Sequence, residues 1–268
     1  MAVSEPARLT PDHIPDAVAL SAEAGWNQTA DDWRIFITRG AAFGIRAEGA
    51  LVATAAALRY GGAFGFVAMV LTTPAWRHRG LARRLLALAM QELANSGHVA
   101  LLDASPEGQP AYERQGFVPL DTIRRWSGLA SGEPQEGTAG PDTVAVLDAA
   151  AFGASRRFLF DDMLAREGSA AIAADGGCVM ARRGLRASHI GPLVAADEAQ
   201  ALGLLRRMLA RLSGPVILDV PVRWRALAGF LALNGFVDQR PFTRMALQRD
   251  APFGDPARLF AVTGPEFG

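Results

Sequence analysis

Residues 77–86 read RHRGLARRLL and follow closely on the apolar run Phe66–Leu71. Arg77, Arg79, Arg83 and Arg84 bring four guanidinium groups to the mouth of a stretch whose Leu81, Leu85 and Leu86 spacing predicts a helix. The first N–H groups of a helix lack carbonyl partners and lie at the positive end of its dipole. A phosphate placed there meets donors and a favourable field. Gly80 lets the main chain approach such a ligand with no side chain between them, and Ala82 is almost as small. Arginine can bind phosphate through two parallel hydrogen bonds. Pro74, just after the apolar run, helps end strand pairing and turn the chain. The stretch lacks the G-x-x-x-x-G-K-[ST] of a P-loop and the G-x-G-x-x-G of a dinucleotide site. Two readings remain: a solvated helix start, or a local anion site.

The elements around this stretch follow from apolar spacing and turn residues. IPDAVALSAEAG from Ile14 and TADDWRIFITRG from Thr29 have helical periodicity, with Thr29 and Asp32 forming an approximate capping box. AAFGIRAEGALVATAAALRYGG reads as two strands joined at Glu48–Gly49. AFGFVAMVLTT is a buried strand, 81–96 a helix, HVALLDAS a strand, GQPAYERQGF a short helix ending at Gly116, and FVPLDTIRRWSG a strand or hairpin. A short first strand is expected near Arg8–Leu9. The order predicts an α/β sheet flanked by helices.

SGEPQEGTAGPD, residues 131–142, is rich in Gly, Pro and polar residues and reads as a linker. On either side the chain repeats itself. GLARRLLALA (80–89) matches GLLRRMLARL (203–212), ALLDAS (100–105) matches VILDVP (216–221), and AYERQGF (111–117) matches FLALNGF (230–236), in the same order. The expected organisation is a first domain at 1–130 and a diverged second copy at 143–268.

The totals bound the partners. Lys+Arg and Asp+Glu each number 27, so the net charge is zero and nothing pulls the whole molecule toward nucleic acid or membrane. Any anion site must be local. A single cysteine, Cys178, excludes an internal disulfide and suits a reducing compartment; it lies in a predicted strand and reads as core. No signal peptide is visible and no apolar run approaches a membrane span, so a cytoplasmic protein is expected. His13, His98 and His189 show no spacing that suggests a partner, and no metal set is expected.

VLTTPAWRHRGLARRLL, residues 70–86, resembles the acetyl-CoA-binding motif of the GNAT N-acetyltransferase superfamily. There a strand, a proline and an aromatic residue lead into R-x-x-G-x-G/A and a helix; Arg77, Gly80 and Ala82 stand at the motif positions. AYERQGF resembles the family's x-Y-E-x-x-G-F block. The likeness covers most of 1–128. It extends to the whole chain, because GWNQTADDW and GPLVAADEAQALGLL resemble the tandem, YitH-like GNAT group with its degenerate second copy.

The resemblance implies two tandem GNAT-like domains, each a mixed, mostly antiparallel twisted sheet flanked by helices. It implies acetyl-CoA as cosubstrate. Val70, Leu71 and Thr72 would pair with its pantetheine arm, and Arg77, His78, Arg79, Gly80, Leu81, Ala82 and Arg83 would form the diphosphate loop. It makes Tyr112 a general acid toward the leaving thiolate; the other reading of Tyr112 is a packed aromatic. Asp103 is either a base acting through water or a strand-end carboxylate bonded to nearby backbone. Trp26, Asn27 and Asp31, with Asp32 and Trp33, lie where the family builds the acceptor wall. Trp33 could equally be core, and Asp31 and Asp32 could serve their helix start. The acceptor would be a small-molecule or peptide amine. The competing class is a non-catalytic acyl-CoA sensor, and retention of Tyr112 speaks for the enzyme.

In the second copy the same alignment sets Leu231 against Tyr112, Gln200 against Arg77, Gly203 against Gly80 and Leu205 against Ala82. Asp197 and Glu198 replace the basic loop. A diphosphate would be repelled there, so one acetyl-CoA per chain is expected, bound by the first copy.

Overall fold

The computed structural model describes residues 3–133 and 135–268; Pro134, inside the predicted linker, lies outside the described residues. In chain order the elements are β1 (Ala7–Arg8), α1 (Ile14–Glu23), α2 (Ala30–Arg39), β2 (Ala41–Ala47), β3 (Ala50–Arg59), β4 (Phe64–Thr72), α3 (Leu81–Ala94), β5 (Val99–Ala104), α4 (Gln109–Glu113) and β6 (Phe117–Ser131). Then come α5 (Pro141–Phe152), α6 (Arg157–Leu164), β7 (Ala170–Ala174), β8 (Gly177–Arg183), β9 (Ser188–Val194), α7 (Glu198–Leu209), β10 (Ser213–Pro221), α8 (Arg225–Leu233), β11 (Val237–Leu247) and β12 (Leu259–Ala261). The fold is an α/β mixed sheet with helices, as the sequence predicts. Among the described residues no helix is long and apolar enough to cross a membrane.

The chain divides into two compact units, residues 1–102 and 103–268. In the first, β1, β2, β3 and β4 pair antiparallel in sequence order and β5 joins β4 in parallel. Glu48 and Gly49 both take positive φ, as a two-residue hairpin turn requires, and they set Ala47 opposite Ala50. Helix α3 turns Leu81, Leu85, Leu86, Ala89 and Leu93 inward, one buried stripe with the expected helical period.

In the second unit, β7, β8 and β9 pair antiparallel, and β10 joins β9 in parallel. FVPLDTIRRWSG forms one long strand rather than a hairpin. That strand, β6, lies between β10 and β11, antiparallel to both. Two buried ion pairs fix its neighbourhood. Arg125 on β6 makes a two-pronged contact with Asp219 on β10 (2.8 and 2.7 Å), and Arg244 on β11 makes the same contact with Asp103 at the end of β5 (2.8 Å twice). Counted from the Gly–Phe that opens each strand, Arg125 and Arg244 occupy the same position. Asp103 and Asp219 are the aspartates of the repeated ALLDAS and VILDVP. The duplication therefore carries its ion pair twice, each copy's aspartate held by the other copy's last strand.

Removing one partner of a buried pair leaves a charge without compensation, at about 3–5 kcal/mol. Arg244→Met should therefore lower unfolding stability by about that much at pH 7, while Arg244→Met combined with Asp103→Leu should recover most of the loss. Burial raises the Asp103 carboxyl above its usual range even with Arg244 beside it. With Arg244 gone the native state holds that proton more tightly still, so the single variant's deficit should shrink as pH is lowered. Urea unfolding across pH measures both effects; a deficit that is small, or that grows on acidification, contradicts the assignment.

Candidate active site

The basic stretch lies between the end of β4 and the start of α3. Strand β4 pairs with β5 only at Phe64↔Val99, Gly65↔Ala100 and Phe66↔Leu101. Its other edge continues along β3 as far as Thr72, opposite Ala53. From Val67 onward the β5 side of β4 therefore has no ladder to β5. Within this stretch Met69 takes φ +54°, its carbonyl accepts a hydrogen bond from the buried Thr54 hydroxyl (2.8 Å), and the β3 register shifts between Thr54 and Ala56. This is a β-bulge, which bends a strand and re-aims the residues after it. Val70, Leu71 and Thr72 follow directly. The Leu71 side chain is buried, so only its main chain can serve a ligand. Thr72 Oγ1 is buried and has no hydrogen-bond partner among the described residues.

The loop that follows is shaped as an anion cradle. His78 and Gly80 both have positive φ, and among the described residues no side chain caps the first turn of α3. The N–H groups of Leu81, Ala82 and Arg83 begin that turn, where a helix presents unpaired donors. A Cβ on Gly80 would meet nothing within 4 Å, so the position is open as well as left-handed. The arginines are divided among different tasks. Arg77 Nε donates to the Thr72 carbonyl (3.2 Å), closing the loop onto the end of β4, and Arg79 lies over the Trp76 ring at 4.5 Å. Arg84 pairs with Glu5 at 2.7 Å, and Arg83 is exposed. These features fit a diphosphate and an extended amide-bearing arm: uncapped donors at a helix start, an open left-handed glycine, an unladdered strand edge and an orphaned buried hydroxyl.

The residues predicted for the acceptor side divide. Trp26 is half-buried and Asn27 buried in the loop between α1 and α2. Trp33 is fully buried, its indole N–H donating to Ser21 Oγ (3.1 Å), so it belongs to the core. Asp31 and Asp32 do not act as an acidic pair. Asp32 is buried in the capping box, where its carboxylate accepts from the Thr29 N–H, and Asp31 is half-exposed and paired with Arg34 at 2.9 Å. Glu23, at the end of α1, accepts from the Thr73 hydroxyl (2.9 Å) and ties the start of that loop to the end of β4.

In the second unit, Tyr112 sits on α4 with its ring edge-on to Phe117 at 6.0 Å between centroids. Burial pushes its hydroxyl up to about 12, so it is a neutral O–H donor near pH 7. At Asp103 both carboxylate oxygens accept from the Arg244 guanidinium. Sequence spacing missed Met69, Arg244 and the Glu23–Thr73 contact. Nothing local marks them, although the matching positions of Arg125 and Arg244 in the repeat were visible.

The second copy departs from the first at the corresponding helix. Helix α7 starts after Asp197, so Asp197, not Gly203, is the counterpart of Gly80; Gly203 lies inside α7. The alignment that set Gln200 against Arg77 and Leu205 against Ala82 shifts with it. Asp197 accepts from the Gln200 N–H (2.8 Å), Gln200 Oε1 accepts from the Ala196 N–H (2.7 Å), and Glu198 accepts from the Leu227 N–H (3.0 Å). The helix start that is open in the first copy is capped here by the Asp197 carboxylate, while Glu198 serves α8. His189, which had no partner in the spacing, is buried 3.2 Å from Asp219, and Cys178 is buried in β8.

Comparison with known proteins matches residues 12–130 and 144–261 to two family models, each described as an acetyltransferase (GNAT) domain. The chain is 22% identical to the uncharacterised N-acetyltransferase YitH of Bacillus subtilis over 282 aligned residues, 99% of each protein. Its fold resembles a crystal structure of an acetyltransferase candidate from Pyrococcus horikoshii (TM-score 0.82, 17% identity, 98% of this chain and 95% of that one). It also resembles a tandem GNAT protein from the clavulanic acid biosynthesis pathway (TM-score 0.57, 15% identity, 94% and 99%).

The chain contains two tyrosines, Tyr60 and Tyr112. In a Tyr60→Phe background, ultraviolet titration of the remaining phenol should have its midpoint near pH 12, against about 10 for an unperturbed tyrosine. Burial penalises the phenolate, so this group removes folding stability as pH rises above the unfolded value and adds nothing below it. A midpoint at the ordinary value would show that Tyr112 is not desolvated.

Proposed function

The chain belongs to the GNAT acetyltransferase family and carries two tandem GNAT domains, and from that premise we propose that it is an N-acetyltransferase moving an acetyl group from acetyl-CoA to an amine. One observation carries the reading: the uncapped start of α3, behind positive-φ His78 and Gly80, adjoins the unladdered end of β4. We assign the copies to 1–130 and 143–268, with 131–142 between them. The first copy holds the cosubstrate and the second does not.

When bound, acetyl-CoA supplies an activated thioester. In the proposed arrangement the N–H groups of Leu81, Ala82 and Arg83, with the arginines and His78 of the loop, take the diphosphate. Main-chain groups of Val70, Leu71 and Thr72 take the pantetheine arm, and the Thr72 hydroxyl supplies one further polar contact. An N–H on the open edge of β4 donates to the carbonyl oxygen as negative charge gathers there. The amine nitrogen bonds to the acetyl carbon, the carbon–sulfur bond breaks, and the proton the nitrogen loses passes through solvent to the thiolate. Tyr112 donates from its O–H to the departing sulfur. Trp26 and Asn27 form the acceptor side; at Asp31 the Arg34 pair competes with an incoming amine. Asp103 acts only through Arg244, as a positioning residue.

Two variants test this. Gly80→Asp should abolish CoA binding in calorimetric titration while the fold persists, since a side chain there meets no protein atom; its carboxylate would oppose the diphosphate. Gly80→Asn, the uncharged counterpart, tolerates the same backbone and should retain more affinity. Unchanged affinity in Gly80→Asp would place the cosubstrate elsewhere.

Tyr112→Phe keeps the ring and loses the hydroxyl. General acids contribute about 10²–10⁴-fold. A phenol held near 12 does not hand its proton outright to a thiolate whose acid has a pKa of about 8.5; it stabilises the sulfur by hydrogen bonding as the bond breaks. The low end is therefore expected, about 10²-fold, equally in kcat and kcat/KM, with CoA affinity nearly unchanged. Steady-state kinetics on an amine panel, reading free thiol, measures it. A variant as fast as the parent removes Tyr112 from the chemistry. Lost CoA affinity at constant kcat favours the sensor reading.

A further inference from the structure

The second copy's equivalent of the open β4 edge is filled by the chain itself. Strands β9 and β10 pair in parallel at Val216↔Ser188, Ile217↔His189 and Leu218↔Ile190, then part, as β4 and β5 do after their third pair. Both strands carry the same bulge, between Ala68 and Leu71 on β4 and between Ile190 and Leu193 on β9; setting the bulges on each other makes Leu71 and Thr72 correspond to Leu193 and Val194. In the second copy these positions are occupied. Strand β12 pairs with β9 at Leu259↔Val194 and Ala261↔Leu193, and the Ala195 N–H donates to the Arg258 carbonyl (3.1 Å). On the other side the Val262 N–H donates to the Asp219 carbonyl (3.0 Å), so the segment bridges the parted strands.

The surroundings are shaped to this segment. A Cβ on Gly191 would lie 1.9 Å from the Val262 oxygen, so the position admits only glycine while the segment is in place. Gly191 corresponds to the positive-φ Met69 of the first copy's bulge. Phe260 stacks on Trp224 at 4.0 Å, and the Trp224 indole N–H donates to the Leu259 carbonyl (2.7 Å). Farther along, buried Glu266 pairs with Arg182 at 2.5 Å and Arg156 donates to the Phe267 carbonyl (3.0 Å). Phe260, Val262 and Phe267 are fully buried.

We propose that residues 258–262 stand in the second copy where the pantetheine arm of acyl-CoA stands in the first, an internal occupant that makes the second cleft a closed support instead of a second site. The proposal rests on the reading of the first copy given above. It assigns the two halves of the lost cofactor contact to different replacements: Asp197 and Gln200 close the anion end at α7, and the 258–262 main chain closes the arm.

Hydrogen exchange read by mass spectrometry tests it on the full chain. Saturating CoA should slow exchange in 70–83 and leave 258–268 as protected as before, with one CoA per chain by calorimetry. A second CoA, or faster exchange in 258–268 when CoA is added, overturns the proposal. No change in 70–83 overturns the reading of the first copy instead. In Trp224→Ala, which removes the stack and the indole hydrogen bond, exchange in 258–263 should quicken at least tenfold. Millimolar pantetheine, which lacks the diphosphate, should then slow exchange in 191–195 of that variant and not of the parent. A loosened segment with no response at 191–195, or a response in the parent, counts against the proposal.

Discussion

Asp103 and Arg244 are 141 positions apart, and Arg125 and Asp219 are 94 apart. Each pair is buried, two-pronged and charged on both sides. A carboxylate carried this far from water is tolerated only beside a matched guanidinium, and the guanidinium's planar fork admits one register of one strand against another. Arg125 and Asp219 are register partners of β6 and β10, so this constraint holds one side of β6 in place. Asp219 shows its strength: although burial works against ionisation, Arg125 and then His189 hold its carboxyl well below the usual range. At Asp103 burial has the upper hand, and the carboxyl is raised despite Arg244. The two pairs share geometry and differ in electrostatic balance: Asp219 has His189 as a further partner, and Asp103 faces the carboxylates of Asp219 and Asp121.

The same economy separates the two helix starts. The first turns of α3 and α7 face the same physical requirement, that unpaired N–H groups find acceptors. In α7 the chain supplies them from Asp197 and sets Gln200 and Glu198 into neighbouring contacts. In α3 it supplies none and places His78 and Gly80 in left-handed conformations ahead of the turn. An unsatisfied helix start next to a strand edge without a ladder costs stability. The helix start is left open in one copy and closed in the other.

Much of this was legible in the residues. Alternation and turn signals located the β2–β3 hairpin at Glu48–Gly49, Thr29 and Asp32 announced the capping box, and Arg77, Gly80 and Ala82 marked the loop before α3. These are local matters, decided by neighbours within a few positions, where period, cap chemistry and backbone freedom act directly. The repeat was legible too, but matching letters misplaced the start of α7 by about two turns of helix, since GLLRRML resembles GLARRLL wherever it falls in its own helix.

What the sequence could not determine depends on long-range encounters. Met69 has no chemistry that forecasts a left-handed bulge; the register between β3 and β4 imposes it. Asp103 read as a possible base because its partner is a strand away in the other half of the chain, and His189 read as solitary because Asp219 reaches it only across the β9–β10 pair. Asp31 and Asp32 lay in the sequence where the family builds its acceptor wall or at a helix start, and helix geometry sends one to a cap and the other to Arg34. By itself the sequence determined which segments are strands and helices, that the fold occurs twice, and which helix start offers donors and positive charge. Only the tertiary structure decided which carboxylates are spoken for and which strand edge takes up β12. Ion pairing and strand addition join residues by closeness in space, and closeness across a hundred positions is set by the folded sheet.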